Sequence, residues 1–290
     1  MRTLPLLFGL TGVLLTSRLP AQSAAPPAAK KPTAGSIIWA GRAAGVHYRW
    51  TDQDLTATVG AQGNPALSLV RAKPAFSLAR ELKREFGKPD TDDVLTFYEV
   101  GFQPLSAVGS LLSYERDDYW DGGAHPSGVE SFVTVDVRSP GRHLKLTDIF
   151  DAAQIRQALL SDPIVQHVLT REKIAPPPTL DGLVKALANK LFGGERDGMY
   201  SIPESLLSDF AFHHIEQGKV AVRLLLPHGS EIFRFHHTQL ALLLPLPAAR
   251  QADFTRAATG EAGAMMPALQ RAGRGHKSAL VVIQQRPARK

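Results

Sequence analysis

The stretch YERDDYWDGGAHPSG, Tyr114 to Gly128, decides how the middle of the chain is read. It gathers Glu115, Asp117, Asp118 and Asp121, three aromatic rings and His125 around the pair Gly122-Gly123. Residue types alone fit an active site, a metal loop or a bend between two strands. The flanks read as strands. Upstream, LTFYEVGF (Leu95 to Phe102) and Leu105 to Tyr114 are rich in Leu, Val and aromatics, as strands are. Downstream, ESFVTVDV (Glu130 to Val137) alternates apolar and polar residues, which puts Phe132 on the face opposite Val133 and Val135. Ser139-Pro140-Gly141-Arg142 then reads as a turn, and LKLTDIF (Leu144 to Phe150) as the strand that closes the unit.

Outward from this centre the pattern changes period twice. VHYRW (Val46 to Trp50) and LTATV (Leu55 to Val59) predict a hairpin, and AFSLARELKREF (Ala75 to Phe86) an amphipathic helix with Phe76, Leu78, Ala79, Leu82 and Phe86 on one side. Ala152 to Leu160, Ile164 to Thr170 and Leu180 to Phe192 read as helices, broken at Pro163 and at Pro176-Pro177-Pro178. DFAFHHIE and KVAVRLLL predict a second hairpin turning at Glu216-Gln217-Gly218, continued by EIFRFHH and QLALLLPL. Strands in two groups with helices inserted between them make an α+β fold of antiparallel sheets. Residues 248–290 read as an Ala/Gly/Arg-rich tail, poorly ordered to about residue 275, with ALVVI (Ala279 to Ile283) as a candidate last strand.

At 290 residues and 44% hydrophobic, the chain can bury a substantial core. Zero cysteines exclude disulfides, thiolate zinc sites, cysteine nucleophiles and a lipid-modified cysteine. Met1-Arg2, the apolar run LPLLFGLTGVLL (Leu4 to Leu15) and the small-x-small exit Ala21-Gln22-Ser23 have the layout of a secretory leader, residues 1–23. The next stretch, AAPPAAKKPTAGS (Ala24 to Ser36), reads as a flexible linker, and the domain is expected over residues 37–247. No later stretch is long and uncharged enough for a membrane-spanning helix, so the expected location is periplasmic or secreted. The net charge of +6 is scattered and partly in the tail, without the basic and aromatic interleaving of a nucleic-acid motif; no nucleic-acid partner is expected.

For catalysis the sequence offers no Gly-x-Ser-x-Gly, Ser-x-x-Lys or His-Glu-x-x-His. The acidic residues of the central stretch lack the EF-hand order and its terminal bidentate Glu. Asp117, Asp118 or Asp121 with Glu130 has the residue types of a glycosidase carboxylate pair, though sequence separation does not give their distance. FAFHH (Phe210 to His214) and FRFHH (Phe233 to His237) repeat a His pair; strand alternation predicts that each pair offers only one imidazole to any one face.

LLSYERDDYWDGGAHPSG, with Tyr119 and Gly122 to Pro126, followed by VTVDVRSPGRHLKLTDIF, with Gly141, Leu144, Leu146, Asp148, Ile149 and Phe150, resembles the extracytoplasmic domain of RsiV-type anti-sigma factors. FAFHHIEQGKVAVRLLLPHGSEIFRF resembles that family's closing hairpin, so the resemblance runs over residues 37–247. It implies an α+β fold and a binding role, with a lysozyme-like protein or peptidoglycan as partner. It also implies that the Gly-Gly-Ala-His-Pro stretch is a structured turn, in which His125 hydrogen-bonds backbone. The candidate ligand surface is Asp117, Asp118, Tyr119, Asp121 and His125, with no catalytic residue, metal ligand or cofactor assigned. The rival expectation is an envelope hydrolase that uses His125 with Asp118 or Asp121, or a metal held by the His pairs.

Overall fold

VHYRWT and LTATV pair as their alternation predicts: β2 (Val46–Thr51) runs antiparallel to β3 (Leu55–Val59), flanked by β1 (Ile37–Ala43) and the two-residue β4 (Phe76–Ser77). The computed structural model describes residues 35–60, 73–86, 97–121, 127–193, 200–227 and 237–283, all within a unit that spans Thr33–Lys290. Helix α1 (Leu78–Phe86) starts where the Asp54 carboxylate accepts the Ser77 hydroxyl at 2.7 Å and the Ala79 N–H at 2.9 Å. Leu78 and Leu82 are buried beneath it.

The central strands are longer than the sequence suggests. β5 (Phe97–Val108) runs straight through Gln103-Pro104, where a break was expected, and β6 (Leu111–Asp121) continues through the acidic residues read as loop. Pro104 has no N–H for the ladder and sits at a register slip between Pro104 and Ser106, where a strand tolerates it. The chain reverses instead at Gly109, whose φ of 61° favours glycine. β7 (Ser127–Asp136) returns alongside β6. Gly122 to Pro126, including His125, lie outside the described residues.

LKLTDIF is not a strand. It forms a 3₁₀ turn at Leu146–Asp148, because the Asp148 carboxylate accepts the Lys145 N–H at 2.7 Å and Leu146 N–H is taken by the Leu207 carbonyl. A local side-chain acceptor outcompetes a ladder here. α2 (Ala152–Ser161) and α3 (Pro163–Arg171) begin at the caps Asp151 and Asp162, and α4 (Leu180–Leu187) at Thr179. Two short strands follow, β8 (Leu191–Phe192) and β9 (Tyr200–Ser201).

β10 (Phe210–Glu216) and β11 (Lys219–Pro227) form the second hairpin, turning at Gln217 and Gly218 with φ of 50° and 74°. β12 (His237–Pro245) completes that sheet; EIFRFH (231–236), with the first histidine of the FRFHH pair, falls outside the described residues. One expectation is overturned here. The register slips between Phe212 and His214, so His213 and His214 do not alternate but approach each other, Nδ1 to Nδ1, at 2.7 Å.

The expected poorly ordered tail is also corrected. α5 (Gln251–Thr259) and α6 (Met266–Gly273) occupy it, burying Phe254, Ala257, Met266 and Leu269 at spacings of three. β13 (Ser278–Ile283) then pairs with β5, and the Trp50 indole donates to the Ser278 hydroxyl at 2.9 Å. The tail therefore packs against the first sheet.

The result is α+β, with antiparallel sheets ordered β1-β2-β3-β4, β13-β5-β6-β7, β10-β11-β12 and β8-β9. The sheet containing β6 lies between two cores. One joins it to the first sheet through Tyr48, Trp50, Phe76, Phe102, Tyr114, Val133 and Val135. On its other face Leu111 and Val108 meet the β10–β12 sheet and the helices. Phe132 packs on that second side with Leu105, Ala211, Leu225 and Met266, opposite Val133 and Val135 as alternation predicts. Each fully buried Leu or Phe contributes roughly 1.5–3 kcal/mol, so these two cores carry the fold.

Candidate functional site

Because β6 is a strand through Asp121, its side chains alternate, and the candidate residues part company. Arg116, Asp118 and Trp120 face the first core. There the Asp118 carboxylate accepts the Tyr98 hydroxyl at 2.8 Å and the Arg116 Nε–H at 3.0 Å. Arg116 also grips both oxygens of Glu85 at 2.9 Å. The Trp120 ring stacks on Tyr98 with centroids 6.4 Å apart. Asp118 is thus engaged by an arginine and a tyrosine, on the side away from Asp117.

Glu115, Asp117 and Tyr119 take the other face. Across β6 they stand opposite Phe132, Glu130 and Gly128 of β7, and Gln103, Gly101 and Glu99 of β5. Lys277, just before β13, reaches in from the edge: its Nζ lies 2.6 Å from Glu115, 3.7 Å from Asp117 and 3.7 Å from Glu130. Gln103 Nε2 donates to the second oxygen of Glu115 at 2.8 Å. Three carboxylates therefore surround one ammonium. Asp121 closes β6 in register with Phe97, and His125 is outside the described residues.

Asp117 is the least satisfied member of this group. Its Oδ1 is buried without a hydrogen-bond partner. Burial holds the carboxyl above the usual aspartate range; Lys277 opposes this, and the negative charges of Glu130, Glu115 and Asp118 add to it. In the same field Glu115, and the other two carboxylates with it, hold Lys277 above its ordinary value against its own burial.

A raised carboxyl pKa means that the folded state grips this proton more tightly than the unfolded chain does. Stability is then lost as pH rises from the ordinary aspartate range through the folded value. Asp117→Asn removes that loss. The variant is expected to unfold at a higher urea concentration than wild type at pH 7, with the gap closing below about pH 3.9, where aspartate is protonated in both states. A gap that widens on acidification would contradict this account.

Among the described residues no group of three His, Cys, Asp or Glu converges as a metal would need. The alternation that separates Asp118 from Glu115 and Asp117 is one reason. The carboxylate pair suggested by residue type, Asp117 with Glu130, is a cross-strand pair. Sequence reasoning missed the placement of Lys277 and Gln103; Lys277 was legible only as one of the basic residues of the tail, two positions before the candidate final strand. A groove of about 630 Å³ lies elsewhere, lined by Lys145, Thr147, Asp181, Lys185, Glu204 and Ser205, with charges of both signs. Among the described residues no helix is long and apolar enough to cross a membrane. No protein-family model, no curated protein and no solved structure matches the chain.

Proposed function

We propose that this chain is an exported, non-enzymatic binding protein. Its acidic face, formed by Glu115, Asp117, Tyr119 and Glu130, takes a cationic surface of a partner, foremost a lysozyme-like protein. The observation that carries this reading is the buried Asp117 oxygen left without a hydrogen bond, on the sheet face where Glu115, Asp117 and Glu130 gather around Lys277. Burying a carboxylate oxygen without a partner costs stability. A cationic group docked over the exposed part of this face would offset that cost through its field, without touching the buried oxygen itself. The leader-like residues 1–23 and the resemblance to the RsiV-type domain support export and a binding role. The chain's net charge is +6, so long-range steering does not favour a cationic partner. Attraction is confined to contact range, within a Debye length of roughly 8–10 Å.

The test is titration of the chain from Ala24 to Lys290 with a cationic lysozyme and, separately, with soluble peptidoglycan fragments. Binding is expected to weaken with added salt, and to fall about tenfold or more in Asp117→Asn/Glu130→Gln, equivalent to ~1.4 kcal/mol. Absence of binding to either ligand at high micromolar concentration overturns the proposal. Tight binding that ignores the double variant places the contact on another surface.

A second reading, an envelope glycoside hydrolase, is favoured by one observation: Asp117 stands directly across the β6–β7 ladder from Glu130, and burial pushes its carboxyl above the usual aspartate range, as a general acid beside a base requires. Release of reducing ends from peptidoglycan, abolished by Asp117→Asn, would establish it; no turnover by wild type removes it.

A further inference from the structure

β10 carries two adjacent histidines, and a regular strand would send them to opposite faces. It does not, because β10 holds one residue too many. Phe212 pairs with Val222 and His214 with Ala221, leaving His213 as the extra residue of a bulge. Both imidazoles turn to the same side. Their centroids are 4.8 Å apart with planes inclined at 77°, and their Nδ1 atoms meet at 2.7 Å.

The far nitrogen of His214 is also placed. Nε2 faces the Glu216 carboxylate at 3.5 Å, which favours the proton on Nε2 and leaves Nδ1 as the lone-pair nitrogen. A carboxylate behind an imidazole in this way is the usual outer support of a metal-bound histidine. Two Nδ1 atoms that face each other can share a single proton, or they can share a cation.

We propose that His213 and His214 form a bidentate Nδ1 site for Cu(II), with Glu216 as the residue that positions His214. Distance selects the metal. With metal–nitrogen bonds of about 2.0–2.1 Å, a right angle at the metal needs the nitrogens ~2.9 Å apart and a tetrahedral angle ~3.3 Å. The observed 2.7 Å is near the first; each ring then turns so that its Nδ1 lone pair points about 45° off the line between the two nitrogens, toward the shared ion. Right-angled nitrogen coordination suits Cu(II) and Ni(II), and of these divalent ions Cu(II) binds most tightly. No third His, Cys, Asp or Glu converges among the described residues, so water fills the remaining positions. Arg223, whose charge reaches His213, works against a dication. The site is therefore an exchangeable one.

The experiment is Cu(II) titration of the chain from Ala24 to Lys290 in a non-coordinating buffer, followed by electron paramagnetic resonance and by NMR of the histidine rings. One Cu(II) per chain with nitrogen superhyperfine splitting from two imidazoles is expected. Substoichiometric Cu(II) should broaden His213 and His214 before any other histidine in the intact wild-type chain, a readout that needs no variant. His213→Ala and His214→Ala should each weaken binding by 30-fold or more, and Glu216→Gln by about tenfold. Zn(II) bound more tightly than Cu(II), first broadening at other histidines, or undiminished binding in a folded His213→Ala/His214→Ala chain would each overturn the assignment.

Discussion

Phe212→Ala is expected to lower the stability of the domain by about 3–5 kcal/mol. Phe212 is fully buried at the point where β10 meets the helices. Its ring stands edge-on to Phe254 of α5 at 5.0 Å and to Phe210 at 5.7 Å, and tilts against Phe150 at 6.4 Å. Removing it opens a cavity that three other rings line, on a strand held in place by its ladder with β11. A loss of this size is a large fraction of the 5–15 kcal/mol typical of a domain. Urea denaturation followed by tryptophan fluorescence measures it, and a midpoint shift equivalent to less than about 1 kcal/mol would show that the cluster is not central.

Gly263→Ala is expected to cost ~2–5 kcal/mol, for two reasons that act together. Gly263 has φ of 89°, where an L side chain is strained. A Cβ there would also strike the Ala107 carbonyl oxygen and come within 3.4 Å of the Ala43 Cβ. That carbonyl accepts the Ala264 N–H at 2.9 Å while Ala107 N–H donates to Ala264 at 2.8 Å, so the loop between α5 and α6 is stitched to β5. The substitution breaks the stitch as well as straining the loop. Gly260→Ala is the control: φ is 75° but nothing lies within 4 Å, so only the strain, about 1 kcal/mol, remains. Hydrogen exchange should show Ala107 and Ala264 losing protection in Gly263→Ala and keeping it in Gly260→Ala. Equal effects at both sites would mean that backbone strain alone matters.

The two losses also bear on the proposed binding face. Asp117→Asn is expected to spare or raise stability while weakening binding, whereas Phe212→Ala and Gly263→Ala reduce stability without touching the carboxylates. The comparison separates a ligand surface from a structural one.

Much of this fold was legible because its signals are local. The β2–β3 hairpin follows from alternation, the β10–β11 turn from Glu216-Gln217-Gly218, and α2 and α3 from two helical stretches divided at Pro163. Where the reading failed, a distant contact won. β6 extends through Glu115 to Asp121 because β5 and β7 supply hydrogen bonds on both sides, and because Arg116 and Lys277 neutralise part of its charge. α5 and α6 carry few apolar residues, yet Phe254 and Leu269 are buried against the rest of the domain. Their helical spacing was present in the sequence and outweighed by Ala, Gly and Arg.

The sequence by itself determined the α+β class, the antiparallel character of the strands and which residues of ESFVTVDV face which side, since each depends on periodicity and turn chemistry within a few residues. Only the tertiary structure decided that Asp117 and Asp118 serve different faces, that Lys277 enters among Glu115, Asp117 and Glu130, and that one extra residue in β10 brings His213 to His214. A charge acquires its partner, and a strand its register, from segments remote in the chain, and spacing along one segment carries no record of either.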